Sequence, residues 1–149
     1  MGKINLRRVL LGGLLAGVVL NVLEFVLNGL ILGDRWARAM ESLNRAAPEG
    51  AGAMIGYIIW GFLLGIALVW LYAAVRPRFG PGPKTAVITG LAVWVVVWLL
   101  GFGSTVIVGI FPTILVVITL VWELFEVPIA TAVGAWLYQE GEAPAAPAP

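Results

Sequence analysis

Three carboxyl side chains, Glu24, Glu123 and Glu126, stand inside otherwise apolar runs of this chain. Asn21, Glu24 and Asn28 follow at i, i+3 and i+7, and Thr119, Glu123 and Glu126 at i, i+4 and i+7, so each run presents one polar stripe if it is helical. An ionisable group at membrane depth costs about 2.5 to 3.5 kcal/mol on insertion scales, which makes such residues functional candidates by default. No Lys or Arg lies deep in either run, and like charges in low dielectric cannot all ionise. The chemistry on offer is the holding of a proton, an inorganic cation or an organic cation. The competing use is structural: neutral Glu and Asn side chains join helices by hydrogen bonds worth roughly 1 kcal/mol each.

Aromatic residues bear on the same choice. Trp94 and Trp98 share a face of one run, Trp122 adjoins Glu123, and Trp60 lies within another run. Carboxylates ringed by indoles suit a lipophilic cation, whereas Trp at such positions also packs against lipid or a neighbouring helix. Pro128 removes the bond to the Leu124 carbonyl and leaves an acceptor one turn back, beside the glutamates. Glu123-x-x-Glu126 has a spacing that suits a hard metal, but no nucleophile, base pair or second ligand set accompanies it. Neither a metal nor a cofactor is expected.

The elements that carry these residues follow from composition. Of 149 residues, 61% are hydrophobic and 11% charged, and the mean hydropathy of +1.02 lies far above that of a water-soluble domain. About 20 apolar residues cross a hydrocarbon core, and four stretches qualify: 9–32, 54–75, 85–110 and 113–137. Each must be helical, because lipid offers no partner for free backbone groups. The expected fold is all-α, a four-transmembrane-helix bundle forming one membrane domain over residues 1–138. The Ala/Pro-rich stretch 139–149 is expected to be a disordered tail.

Composition also excludes chemistry. The chain has no Cys and no His, hence no disulfide, thiolate nucleophile, haem imidazole or histidine base, and no zinc site of the usual ligand types. Nine Lys and Arg against eight Asp and Glu give a formal charge of +1, too little footprint for a nucleic-acid partner.

Orientation follows the Lys/Arg count in the flanking segments. Lys3, Arg7, Arg8, Arg76, Arg78 and Lys84 lie on one side, against Arg35, Arg38 and Arg45 on the other, which places both termini in the cytoplasm of a bacterial inner membrane. The first run is long enough to span, carries Glu24 and lacks a clear cleavage site, so it reads as a retained helix rather than a signal peptide. Between spans one and two, RWARAMESLNR places Trp36, Met40 and Leu43 on one face, an amphipathic helix lying in the interface. RPRFGPGPK, between spans two and three, reads as a helix-free turn. Gly101-Phe-Gly-Ser-Thr105 is a point where span three could break, though without a basic neighbour it makes a poor phosphate loop. Gly13/Gly17, Gly29/Gly33 and Gly61/Gly65 are small-xxx-small pairs that permit close helix approach without by themselves specifying a dimer. Trp70-Leu-Tyr72 and Trp136-Leu-Tyr138 close spans two and four, and Gly13-Leu and Gly90-Leu stand near the starts of spans one and three. Those identities fit a two-helix unit repeated once, and equally the general collection of Trp and Tyr at interfaces.

Two resemblances add to this. Four short helices with a glutamate in the first resemble the small multidrug resistance transporters, which implies that Glu24 exchanges protons for cationic drugs. This chain differs in its long first loop, the Glu pair of span four and its charge bias. NVLEFVLNG, WGFLLGIALVWLYAAVRPRFGPGPKTA and GAWLYQE look like uncharacterised four-helix bacterial inner-membrane proteins grouped as a domain of unknown function, a likeness that implies the fold and no activity.

The expectation put first is a non-enzymatic, structural or accessory membrane protein whose Asn/Glu/Thr stripe organises the bundle, with the lipid bilayer as its medium and a homo-oligomer or larger membrane complex as its setting. The alternative is a small proton- or cation-coupled carrier using Glu24, Glu123 and Glu126. Whether the two stripes meet is a question of tertiary structure.

Overall fold

The computed structural model describes residues 3–139. Five helices follow in order: α1 Leu6–Ile31, α2 Gly33–Ser42, α3 Gly50–Phe79, α4 Pro83–Ile107 and α5 Thr113–Trp136. No strand occurs among the described residues. The four long helices are each long and apolar enough to cross a membrane. The expected tail falls almost wholly on residues 140–149, outside the described residues.

Helix ends differ from the hydropathic spans because capping sets where a helix stops. α1 begins at Leu6, where the Asn5 side chain accepts the Arg8 N–H at 3.2 Å. The first turn thus carries Arg7 and Arg8 beyond the apolar run. α3 overruns its expected span at both ends, and the segment read as a helix-free turn starts as helix: Arg76–Phe79 form its last turn with Pro77 inside. The proline removes a single bond near the helix end, and the chain reverses only at Gly80 and Gly82, whose φ values of 85° and 121° suit glycine. Pro83 then opens α4 from the first-turn position where its missing N–H costs nothing.

α1 and α4 are not uniform α-helices. Both widen to π-helix, α1 over Phe25–Ile31 and α4 over Val95–Phe102. The Leu32 N–H reaches Leu27 O and the Gly103 N–H reaches Trp98 O, each at 2.7 Å and five residues back. The glycine-rich stretch at residue 101 therefore widens α4 rather than breaking it, and α4 ends at Ile107 instead of running to residue 110.

α2 stops in a Schellman arrangement, with Arg45 N–H on Met40 O, Asn44 N–H on Glu41 O, and Asn44 at φ 55°. Trp36, on the apolar face expected to lie in the interface, turns toward the bundle. Ala39 is buried, and Trp36 packs edge-on to Phe111 at 5.4 Å between ring centres and beside Phe102 at 6.2 Å. α2 therefore closes one end of the bundle with its tryptophan against the core.

The bundle consists of two helix pairs, α1 with α3 and α4 with α5, joined chiefly by α1 against α5. Glycines set the approach. A Cβ at Gly13 or Gly17 would meet the backbone of Ile66 or Phe62, one at Gly65 would meet Gly13 O and Gly17 N, and one at Gly90 would meet Pro128. Gly12 and Gly134 do the same between α1 and α5. The small-residue pairs 13/17 and 61/65 are thus consumed inside one chain, while Gly29 faces only Phe25 of its own helix.

The paired Trp-Leu-Tyr motifs meet at the end opposite α2. Tyr72 and Tyr138 are buried and stack edge-on at 6.0 Å, while Trp70 and Trp136 point outward. The Tyr72 hydroxyl accepts the Gly82 N–H at 3.1 Å, just before α4, and the Tyr138 hydroxyl accepts the Asn5 N–H at 3.4 Å, just before α1. Each tyrosine holds the start of the other pair's first helix.

Candidate functional site

α1 and α5 cross so that their polar residues come together at Glu24, Glu123 and Glu126. One carboxylate oxygen from each lies within 4.8 Å of the others. Glu123 and Glu126 are each only 1% exposed, and Glu24 is half-buried. The geometry follows from helical spacing: residues 123 and 126 are one turn apart on α5, and Glu24 ends the α-helical part of α1 where the π-helical turns begin.

Glu24 and Glu126 are each held by a neutral donor. Asn28 Nδ2 donates to Glu24 Oε2. Trp122 Nε1 donates to Glu126 Oε2 at 2.6 Å. Glu123 lies beside Glu24 and beside Trp98 of the π-helical turns of α4. Trp36 Nε1 in turn donates to Asn28 Oδ1 at 2.7 Å, so α2 reaches the cluster through one intermediate side chain. Two oxygens remain: Glu123 Oε2 and Glu126 Oε1 are buried and have no hydrogen-bond partner among the described residues. A buried oxygen without a partner calls for an explanation, a water or an ion among them, and both of these belong to side chains of the converging group.

The other residues singled out from sequence divide. Asn21 stands apart, donating to Gly17 O at 2.8 Å and across to Ile58 O of α3 at 3.2 Å. It joins α1 to α3. Thr119 is buried and donates back to Leu115 O of its own helix at 3.1 Å, a local bond that adds nothing to the cluster. Trp94 donates to Leu120 O at 3.0 Å and ties α4 to α5 one turn from Glu123. Trp60 is 71% exposed on the outside of α3 and is no part of an indole ring around the carboxyls. Pro128 lies inside a continuous α5, buried against Gly90. Two shallow recesses elsewhere, one lined by Pro48, Ala53, Gly56, Tyr57 and Trp60 and one by Arg35, Arg38, Ala39, Ser42, Pro112, Ile114 and Leu115, include none of the three carboxyls.

Sequence reasoning missed Trp36, which is half-buried above the site. Amphipathic periodicity places it on the apolar face of α2 but does not say whether that face meets lipid or the bundle. The short link from Ile31 to Gly33 was the available signal, since a one-residue connection leaves α2 little room to lie away from the helix end.

Comparison of the chain with protein-family models, with curated proteins and with solved structures gives no match.

Proposed function

We propose that the protein is a small multi-pass carrier of the bacterial inner membrane, both termini cytoplasmic, that exchanges protons for a cation at Glu24, Glu123 and Glu126. The observation that carries this is the convergence of three carboxylate oxygens within 4.8 Å, two of the carboxyls retaining a buried oxygen without a partner. A stripe serving only to join helices would spend its oxygens on the neighbouring helix, as Asn21 spends its amide on Ile58 O. Insertion in a bilayer is supported by the outward faces of the long helices, where Leu10, Leu14, Ile55, Ile59, Leu100, Val121 and Phe125 are exposed. A soluble monomer does not leave so continuous an apolar surface to water.

Asn21 also supports the second reading, a purely structural stripe. The two separate by experiment. Protein in mild detergent is given a panel of inorganic and lipophilic cations while proton release is followed, with Glu24→Gln and Glu123→Gln alongside. The carrier reading expects release from wild type and its loss in both variants at unchanged stability. No release from a folded wild type would leave the glutamates as packing residues.

A further inference from the structure

Resting on that carrier reading, we infer that the cation taken between Glu24, Glu123 and Glu126 is a hard divalent ion of calcium or manganese type. The donor set is made of carboxylate oxygens, and His and Cys are absent from the whole chain. That excludes the ligands preferred by softer metals and selects ions that take oxygen. Ligand chemistry narrows the choice: magnesium gives up its water reluctantly and demands near-ideal octahedral geometry, whereas calcium accepts carboxylate oxygens in flexible geometry. The three oxygens here lie within 4.8 Å of one another, close enough to ligate one ion.

Charge points the same way. The donors that hold Glu24 and Glu126 are the amide of Asn28 and the indole of Trp122, both neutral. Entry of one doubly charged ion is electroneutral when two carboxyl protons leave to solvent, with no other co-ion required. The donors also orient the ligands. With Glu126 held through Oε2 by Trp122, its orphan Oε1 is free for an ion, as is Glu123 Oε2.

The test uses the full chain in mild detergent, Mn²⁺ as the probe and its free electron-paramagnetic signal as the readout. Competition by Ca²⁺, Mg²⁺, Na⁺ and tetraphenylphosphonium and the protons released are measured in the same samples. Expected are one Mn²⁺ bound per chain, about two protons released, displacement by Ca²⁺ at lower concentration than by Mg²⁺, and none by tetraphenylphosphonium. Glu123→Gln, near in shape to the native side chain, should lose binding at least tenfold, and Trp122→Phe, which leaves all three carboxyls in place, should weaken it by about tenfold. A thermal midpoint measured for each variant separates lost binding from lost folding. No stoichiometric Mn²⁺, with protons still released by tetraphenylphosphonium or Na⁺, would overturn the divalent assignment and leave the carrier standing. No release by any cation would overturn both.

Discussion

At the scale of the residue, the site is three acidic side chains, two of them steadied by a neutral donor, and the polar groups around them divide into those that touch a carboxyl and those that act through another group. Trp36 is of the second kind, since its indole fixes Asn28, which fixes Glu24. Trp36→Phe keeps the aromatic contact with Phe111 while removing that N–H. It should shift the cation-response midpoint by a few-fold and leave the melting temperature within a few degrees; an unchanged midpoint would show that Asn28 holds Glu24 unaided. Trp60→Ala is the contrasting case. With its side chain on the outside of α3, it should alter stability by no more than about 0.5 kcal/mol and the cation response not at all. The sequence put Trp60 among the aromatic candidates for the carboxyls and Trp36 on the face of an interfacial helix, and only their neighbours in the structure reverse that.

At the scale of the element, glycine decides how near two helices come. Gly65 and Gly56 lie on the same helix, α3, in opposite circumstances: a Cβ at Gly65 would meet the α1 backbone at Gly13 and Gly17, while one at Gly56 would meet nothing within 4 Å. Gly65→Ala should therefore destabilise the bundle by about 1 to 3 kcal/mol through overpacking. Gly56→Ala should be neutral or stabilise by up to about 1 kcal/mol, through helix propensity. Thermal unfolding in detergent reads both, and equal midpoints would contradict the α1 to α3 packing. The tyrosine pair is a second such test. Tyr72→Phe and Tyr138→Phe each remove one hydroxyl that holds a helix start, at an expected cost of about 1 kcal/mol apiece.

At the scale of the whole molecule, the four long helices leave apolar faces outward and polar groups inward, with α2 over one end and the tyrosines at the other. In the orientation proposed from the Lys/Arg bias, the tyrosine end faces the cytoplasm. The chain contains no Cys, so single cysteines report the orientation directly. Lys3→Cys should resist a membrane-impermeant maleimide in intact cells and react after lysis, whereas Glu41→Cys should react in both. The reverse pattern would invert the bundle.

The sequence by itself determined the class of this protein. Runs of apolar residues near 20 long admit only helices in lipid, and an acidic residue in such a run is costly enough to stand out. Glu24, Glu123 and Glu126 were legible for that reason, as were the four helices and α2. Helix ends were less legible, because caps at Asn5 and Asn44 and glycine turns at 80 and 82 act outside the apolar runs. The π-helical turns left no trace, since in an evenly apolar segment a change of hydrogen bonding from four residues back to five moves no polar residue out of pattern. Only tertiary structure decided that the stripes of α1 and α5 meet, that Asn21 turns away to α3, and that Trp36 rather than Trp60 belongs to the site. Periodicity fixes which residues share one helix face, but the partner of that face is chosen by backbone approach, here through Gly12, Gly13, Gly17, Gly65, Gly90 and Gly134, and that choice depends on all four helices at once.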